Sequence, residues 1–115
     1  MVTLKKQVSI EVLKKENQPN GSGRLRIPEE IIKSDDNKFN INSSAYVIML
    51  GKEVIIVPKK DLAQLKLKDF DFIKLMSIDK YNKITIPSNI IKELCVKKGS
   101  YGIELHDNLF IKIIF

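Results

Sequence analysis

A basic side chain stands four residues before a proline at two places in this sequence. The first segment is GRLRIP (23–28) and the second is NKITIP (82–87). Each alternates basic or polar residues with isoleucine or leucine, which is typical of a strand with two different faces. The alternation predicts that Arg24, Arg26 and Lys83 lie on polar strand faces. Cations so placed can neutralise phosphates, and an arginine can also donate two hydrogen bonds to a guanine edge.

Each segment leads into Ile-Ile-Lys, which adds a basic residue five positions after the proline. These residues are Lys33 and Lys92. A cation near the C-terminus of a short helix is favoured by the helix dipole whatever the function. Alternating basic and apolar residues are likewise common on any strand with one solvated face. Two interpretations stay open at this point: an anion-binding surface, or the ordinary polar outside of a sheet.

The two segments belong to an internal repeat. With an offset of 59 residues, residues 24–28 align with 83–87, and Ile-Ile-Lys at 31–33 aligns with Ile-Ile-Lys at 90–92. Four extra residues around SDDN (34–37) reduce the offset to 55, and Tyr46 then falls on Tyr101. Apolar positions agree between the copies and polar positions mostly differ, as expected for a shared core with diverged surfaces.

Each copy predicts a half-buried strand, a turn, a second strand ended by proline, a short helix and a hairpin. The paired segments are QVSIEVL (7–13) with FIKLMSI (72–78) for the first strand, and 45–57 with 101–115 for the hairpin. The prolines suit the first helical position. We expect Glu29 and Glu30 to favour the positive N-terminus of their helix, and Ser88 and Asn89 to hydrogen-bond free amides.

The copies are too small to bury a stable core separately, because the whole chain has only 115 residues. We therefore expect copy one (1–58) and copy two (72–115) to pack as one body, joined by a linker (59–71). No Ser/Gly-rich spacer separates them. The predicted fold class is mainly β with short helices.

Composition favours an anionic partner. The net charge of +6 is typical of proteins that bind anions. The alternative is that the lysines only keep a small protein soluble. The apolar runs are far shorter than a membrane span, and no signal peptide is evident, so we expect a cytoplasmic protein without a membrane partner. Cys95 is the only cysteine, which excludes an internal disulfide and suits a reducing compartment.

Catalytic motifs are missing from the sequence. His106 is the only histidine, and no pair of cysteines accompanies it, so no metal cluster is predicted. The neighbouring carboxylates Asp35 and Asp36, like Asp69 and Asp71, have no partner base in a recognisable motif. No Gly-rich phosphate loop is present. We expect a protein that is not an enzyme and needs no cofactor.

A strand, a turn ending in Gly-Arg, a strand closing on Ile-Pro, a short helix and a hairpin together resemble the AbrB/SpoVT family of swapped-hairpin DNA-binding domains. That family includes MazE-type antitoxins and MraZ-type regulators. Copy two matches through IDKYNKITIPSNIIKELCVKKGSYGIELHDNLFIKIIF (78–115). Copy one departs in its longer turn, its SDDN insertion and INSSA (41–45), where the family has a glycine. The resemblance implies tandem β-β-α-β-β units interleaved into a pseudo-twofold swapped-hairpin β-barrel.

The resemblance also implies which residues bind DNA. In the family, basic residues of the two first hairpins and the nearby helix ends contact the duplex. Carried to this chain, those positions are Arg24 and Lys83 before the prolines, and Lys33 and Lys92 after them. Arg26 could read guanine beside Arg24, but with two arginines we expect phosphate contacts and DNA shape to dominate. Three further lysines around the turns extend this set: Lys14, Lys15 and Lys80.

The leading hypothesis is therefore a nucleoid-associated transcriptional regulator that binds double-stranded DNA. One alternative is a module for protein contacts or self-association, either antitoxin-like or ring-forming. The chain ends in the strand-like LFIKIIF, so we expect no toxin-wrapping tail. Another alternative is a chromatin-like protein that coats DNA without sequence preference. The sequence does not separate specific from non-specific binding.

Overall fold

The structure is a computed structural model that describes residues 2–13, 21–33, 39, 42–67 and 69–115. It is mainly β, as the sequence predicts, with eight strands and two short α-helices in the described ranges. The strands of copy one are β1 (Val2–Val12), β2 (Gly23–Arg26), β3 (Ser44–Leu50) and β4 (Glu53–Pro58). Those of copy two are β5 (Phe72–Ser77), β6 (Lys83–Ile86), β7 (Gly99–His106) and β8 (Phe110–Ile114). The helices are α1 (Glu29–Ile32) and α2 (Ser88–Glu93).

All eight strands belong to one antiparallel sheet that curves into a nearly closed barrel. The strand order is β5-β3-β4-β8-β7-β1-β2-β6. The two ends of the sheet meet through a single bridge between Ile78 and Ile84, just beyond β5. Closure of this kind leaves little unpaired strand edge.

The copies are interleaved, as the resemblance implies. β1 of copy one pairs with β7 of copy two, and β5 of copy two pairs with β3 of copy one. The β2–β6 and β4–β8 ladders join equivalent strands of the two copies. Exchanging the copies leaves the order of strands around the barrel unchanged, which defines a pseudo-twofold axis.

The axis crosses the barrel at two ladders. In β2–β6, Leu25 lies opposite Ile84, and these residues are equivalent in the repeat. The rotation exchanges the two neighbouring pairs. It carries Arg24 onto Lys83 and Thr85 onto Arg26, so the Arg24–Thr85 pair takes the place of the Lys83–Arg26 pair. The second crossing lies in the β4–β8 ladder.

The register of the repeat differs from the sequence prediction in two strands. Ile10 pairs with Leu25 as Ile78 pairs with Ile84, so Ile10 is equivalent to Ile78, and the overlay of 7–13 on 72–78 was three residues off. Tyr46 and Tyr101 are not equivalent either, because Tyr46 packs outside the barrel and Tyr101 against its interior. A one-residue slip turns every side chain of a strand to the other face.

The slip has a physical cause in β3, which is buried on both sides. Val47 faces the barrel core, whereas Ile48 packs in a second cluster outside it. Leucines of the linker cover this outer cluster, and a 3-10 helix at Lys59–Leu65 holds part of them in place. The polar-apolar alternation that identifies a face is therefore lost in β3.

The short helices begin directly after the prolines. Pro28 and Pro87 are the N-cap residues, and neither helix has a side-chain capping hydrogen bond. The predicted capping by Ser88 and Asn89 was wrong, because both residues already lie inside the first turn. Packing holds the helices instead: a Cβ added at Gly23 would lie 2.7 Å from Cδ1 of Ile91. Helix α2 thus packs closely on β2 of the other copy.

Candidate nucleic-acid interface

Three basic side chains surround the axis on the outer side of the β2–β6 ladder. Leu25 and Ile84 are fully buried, so their neighbours along each strand point outward. Arg24 and Arg26 are exposed, and Lys83 is half-buried opposite Arg26. We call these three residues the basic face. Arg24 and Lys83 therefore lie on one face and are related by the pseudo-twofold axis, as the DNA-binding hypothesis requires.

The basic face is compact. Residues two apart on a strand are separated by about 7 Å, and opposite residues by about 5 Å. In the described part of the chain, no acidic side chain forms an ion pair with Arg24, Arg26 or Lys83. Three cations this close repel one another, and an anion bound between them would relieve that repulsion.

Asp79 organises the turn beside the basic face. Its Oδ1 accepts hydrogen bonds from the backbone N–H groups of Lys83 (3.0 Å) and Tyr81 (2.8 Å). The bond from the Lys83 amide is the main cause that lowers the pKa of Asp79, and the charges of Arg24 and Lys83 contribute. The carboxylate therefore stays ionised, fixes the turn and offsets part of the positive charge.

The same turn presents Lys80 and Tyr81. Tyr81 is 59% exposed, and the Lys80 ammonium lies 5.2 Å from the centre of its ring. That distance fits a cation–π contact at an exposed site. The Ile27 amide donates to the carbonyl of Asn82 at 2.8 Å, which ties the turn to the end of β2. Lys80 thus stands at a turn that the fold holds next to the basic face.

Lys33 is engaged in an ion pair. Its Nζ lies 2.8 Å from Oε1 of Glu29, one helical turn earlier, and both side chains are more than 70% exposed. The hydrogen bond to Glu29 raises the pKa of Lys33. A groove lined by Arg26, Pro28, Lys33 and Asn82 connects this helix end to the basic face. To contact a phosphate, Lys33 would have to leave Glu29.

Lys92 differs from Lys33 in its neighbours. It is exposed in the last turn of α2, and the residue four positions before it is Ser88 instead of a glutamate. Within the described ranges it has no acidic partner. Lys92 is therefore available to an external anion without first breaking an ion pair.

The remaining predicted residues, Lys14 and Lys15, lie outside the described residues. Glu11 of β1 lies opposite Arg24 and adds a carboxylate to the groove that Arg24, Arg26 and Lys83 line. Two further residues of this groove, which sequence reasoning missed, are Gln7 and Ser9 of β1. Both are polar positions in QVSIEV, so the alternation in β1 could have identified them. Each can offer hydrogen bonds beside the cations.

His106 lies elsewhere on the barrel and is held by its neighbours. Its Nε2 is 3.0 Å from Oε1 of Glu104, and its ring stacks on Phe110 with centroids 5.2 Å apart. The described residues contain no group of three His, Cys, Asp or Glu side chains that could hold a metal ion. These contacts account for His106 as part of the sheet surface.

A scan against family models gave no match, and a search of curated proteins also gave none. Among the described residues, no helix is both long enough and apolar enough to cross a membrane. The fold and site define a class: a mainly β, pseudo-twofold barrel with a basic face on its axis.

Proposed function

We propose that this protein is a DNA-binding regulator that contacts duplex DNA with the basic face. The observation that carries the proposal is the position of Arg24, Arg26 and Lys83 around the pseudo-twofold axis, on one outer surface, where none of the three forms an ion pair within the described part of the chain. The backbones of a DNA duplex are related by twofold axes. A protein surface with matching approximate symmetry can present equivalent cations to both strands.

Binding would start with phosphate neutralisation. Each neutralised phosphate releases condensed counterions, so affinity should fall steeply with salt. Lys80 extends the positive surface at the turn beside Lys83, and Lys33 joins it if its bond to Glu29 is exchanged. Lys92 adds an exposed cation at the end of α2. The polar groups of Gln7 and Ser9 can add hydrogen bonds to phosphate or sugar oxygens. A cytoplasmic, nucleoid-associated location follows from this proposal.

A titration of mixed-sequence duplex DNA across a salt series tests the proposal. The variant R24A/R26A/K83A removes the basic face. The control K52A/K59A/K60A makes the same change in charge on exposed residues of the β3–β4 turn and the 3-10 helix, outside β2 and β6. We expect the first variant to lose about 0.9 from the slope of log K against log salt for each phosphate contact removed. The control should keep most of the slope.

Two results would contradict the proposal. One is the absence of binding to any duplex at low salt. The other is an equal loss of affinity in both triple variants, because net charge and not the basic face would then account for binding. Competition between a selected duplex and random DNA separates a regulator from a protein that coats DNA without preference.

Self-association is a second candidate, favoured by a small apolar patch at the end of β8. Ile114 and Phe115 are 40% and 44% exposed, and Phe115 packs edge-on against Tyr101, with ring centroids 5.4 Å apart. Light scattering over a concentration series tests it. A mass of one chain throughout the series would exclude a ring or dimer built on this patch.

A further inference from the structure

The two halves of the proposed DNA-binding surface are chemically different. Rotation about the axis places Lys83 on Arg24 and Thr85 on Arg26. Copy one therefore offers two guanidinium groups where copy two offers an ammonium and a hydroxyl. A guanidinium can donate a fork of two hydrogen bonds to guanine O6 and N7, whereas an ammonium acts as a point charge.

The helix ends differ in the opposite sense. In α1 the first turn carries Glu29 and Glu30, which form ion pairs with Lys33 at 2.8 Å and Lys6 at 3.3 Å. The first turn of α2 has no acidic residue at all. Among the described residues, Lys92 therefore has no ion pair to break before it meets a phosphate. Copy two has the stronger helix end for phosphate, and copy one has the arginines.

We propose that the protein binds duplex DNA in one orientation, with Arg24 and Arg26 reading base edges on one side of the axis and Lys92 holding phosphate on the other. The inference rests on the proposed function and adds to it the orientation of the protein on the duplex. A dimer of two identical subunits would bind DNA equally well after rotation by a half-turn about its axis. Here a half-turn replaces Arg24 by Lys83 at the bases, and each lost bidentate contact costs roughly 5- to 150-fold in affinity.

The single native cysteine allows a direct test. Cys95 is exposed and directly follows the C-terminal turn of α2, so it marks the copy-two end of the surface. An iron chelate attached to its thiol would cleave nearby DNA through hydroxyl radicals. The probe is a duplex recovered from a random-sequence pool by repeated selection on the protein. We expect cleavage on one side of the selected site and a recovered sequence that is not a palindrome.

Equal cleavage on both sides, uniform cleavage along the duplex, or a palindromic recovered sequence would overturn the single orientation while leaving DNA binding intact. Recovery of no DNA at low salt would overturn the proposed function as well. These outcomes distinguish the two proposals.

Two variants assign the direction to residues. In K83R/T85R both halves carry two arginines, so cleavage should appear on the second side as well. The variant R24K/R26K keeps the charge but removes both guanidinium groups, and cleavage should become less one-sided. Unchanged one-sided cleavage in both variants would show that the arginines do not set the orientation.

Discussion

Replacing Ile84 by alanine should lower the free energy of unfolding by about 3 kcal/mol. Ile84 lies on the pseudo-twofold axis with no exposed surface, opposite an equally buried Leu25. The change removes three carbon groups, worth about 0.8 kcal/mol each in transfer free energy. A cavity term adds to this because the surrounding ladder cannot close fully, and such substitutions span about 2–5 kcal/mol.

Urea unfolding followed by far-UV circular dichroism measures the effect. With a typical slope of about 1–3 kcal/mol per molar urea, the midpoint should fall by roughly 1–3 M. Thr85→Ala is the matched control, since Thr85 is the next residue and points outward; it should cost less than about 1 kcal/mol.

A cost below about 1 kcal/mol for Ile84→Ala, or an equal cost for Thr85→Ala, would refute the reasoning. Either result would mean that β6 does not turn Ile84 inward. The basic face would then lose its basis too, because Lys83 points outward only if Ile84 points inward. Leu25→Ala should give a loss comparable to that of Ile84→Ala, as the axis relates the two positions.

Three further predictions concern packing, acid stability and strand exchange. Gly23→Ala should destabilise the protein by about 0.5–1.5 kcal/mol in urea, because the new Cβ would lie 2.7 Å from Cδ1 of Ile91 and force the end of that side chain off its rotamer. Adding Ile91→Val, which removes that atom, should recover part of the loss. The pKa of Asp79 in the folded protein lies below its ordinary value of 3.8. The ionised carboxylate therefore stabilises the folded protein above that pH, and this contribution is lost as pH falls toward the lowered pKa. Asp79→Asn should therefore flatten the acid limb of a stability-against-pH profile. Copy two expressed alone (72–115) should fold only as a dimer, visible by light scattering, because it lacks β1 and β3 as partners.

Each of these has a result that would contradict it. No gain from Ile91→Val in the Gly23→Ala background would place the strain elsewhere. An acid limb unchanged by Asp79→Asn would mean that the turn does not depend on the carboxylate charge. A folded monomer of copy two would show that one copy closes its own core.

The repeat made much of the fold predictable from the sequence. Two copies too small to stand alone, each with the same order of apolar positions, indicated one packed body, and the family resemblance added that the copies interleave into a barrel. The register was harder, because Ile48 is buried outside the barrel by the linker and so carries the same apolar signature as its inward neighbour Val47. Contacts between distant segments, such as linker against β3, leave no local pattern in a sequence.

The central residues of the candidate site were predictable from the sequence, whereas the ion pairs that engage some of its lysines were less so. Arg24 and Lys83 follow from the spacing before proline, and the strand period alone places them outward. Lys33 and Glu29 are one helical turn apart, so their ion pair could have been predicted from the i, i+4 spacing. The Lys6–Glu30 pair joins residues far apart in sequence, so only the fold shows it.

The exchange of strands between copies has a consequence for biosynthesis. β1 leaves the ribosome before the other strands of the barrel, and its long ladder partner β7 follows only after five further strands. Until copy two emerges, copy one exposes the strand edges that β5, β6, β7 and β8 later cover. Two nascent chains on neighbouring ribosomes could pair these edges and form an intertwined dimer. The rate at which the second half of the chain is translated should therefore influence the yield of monomer.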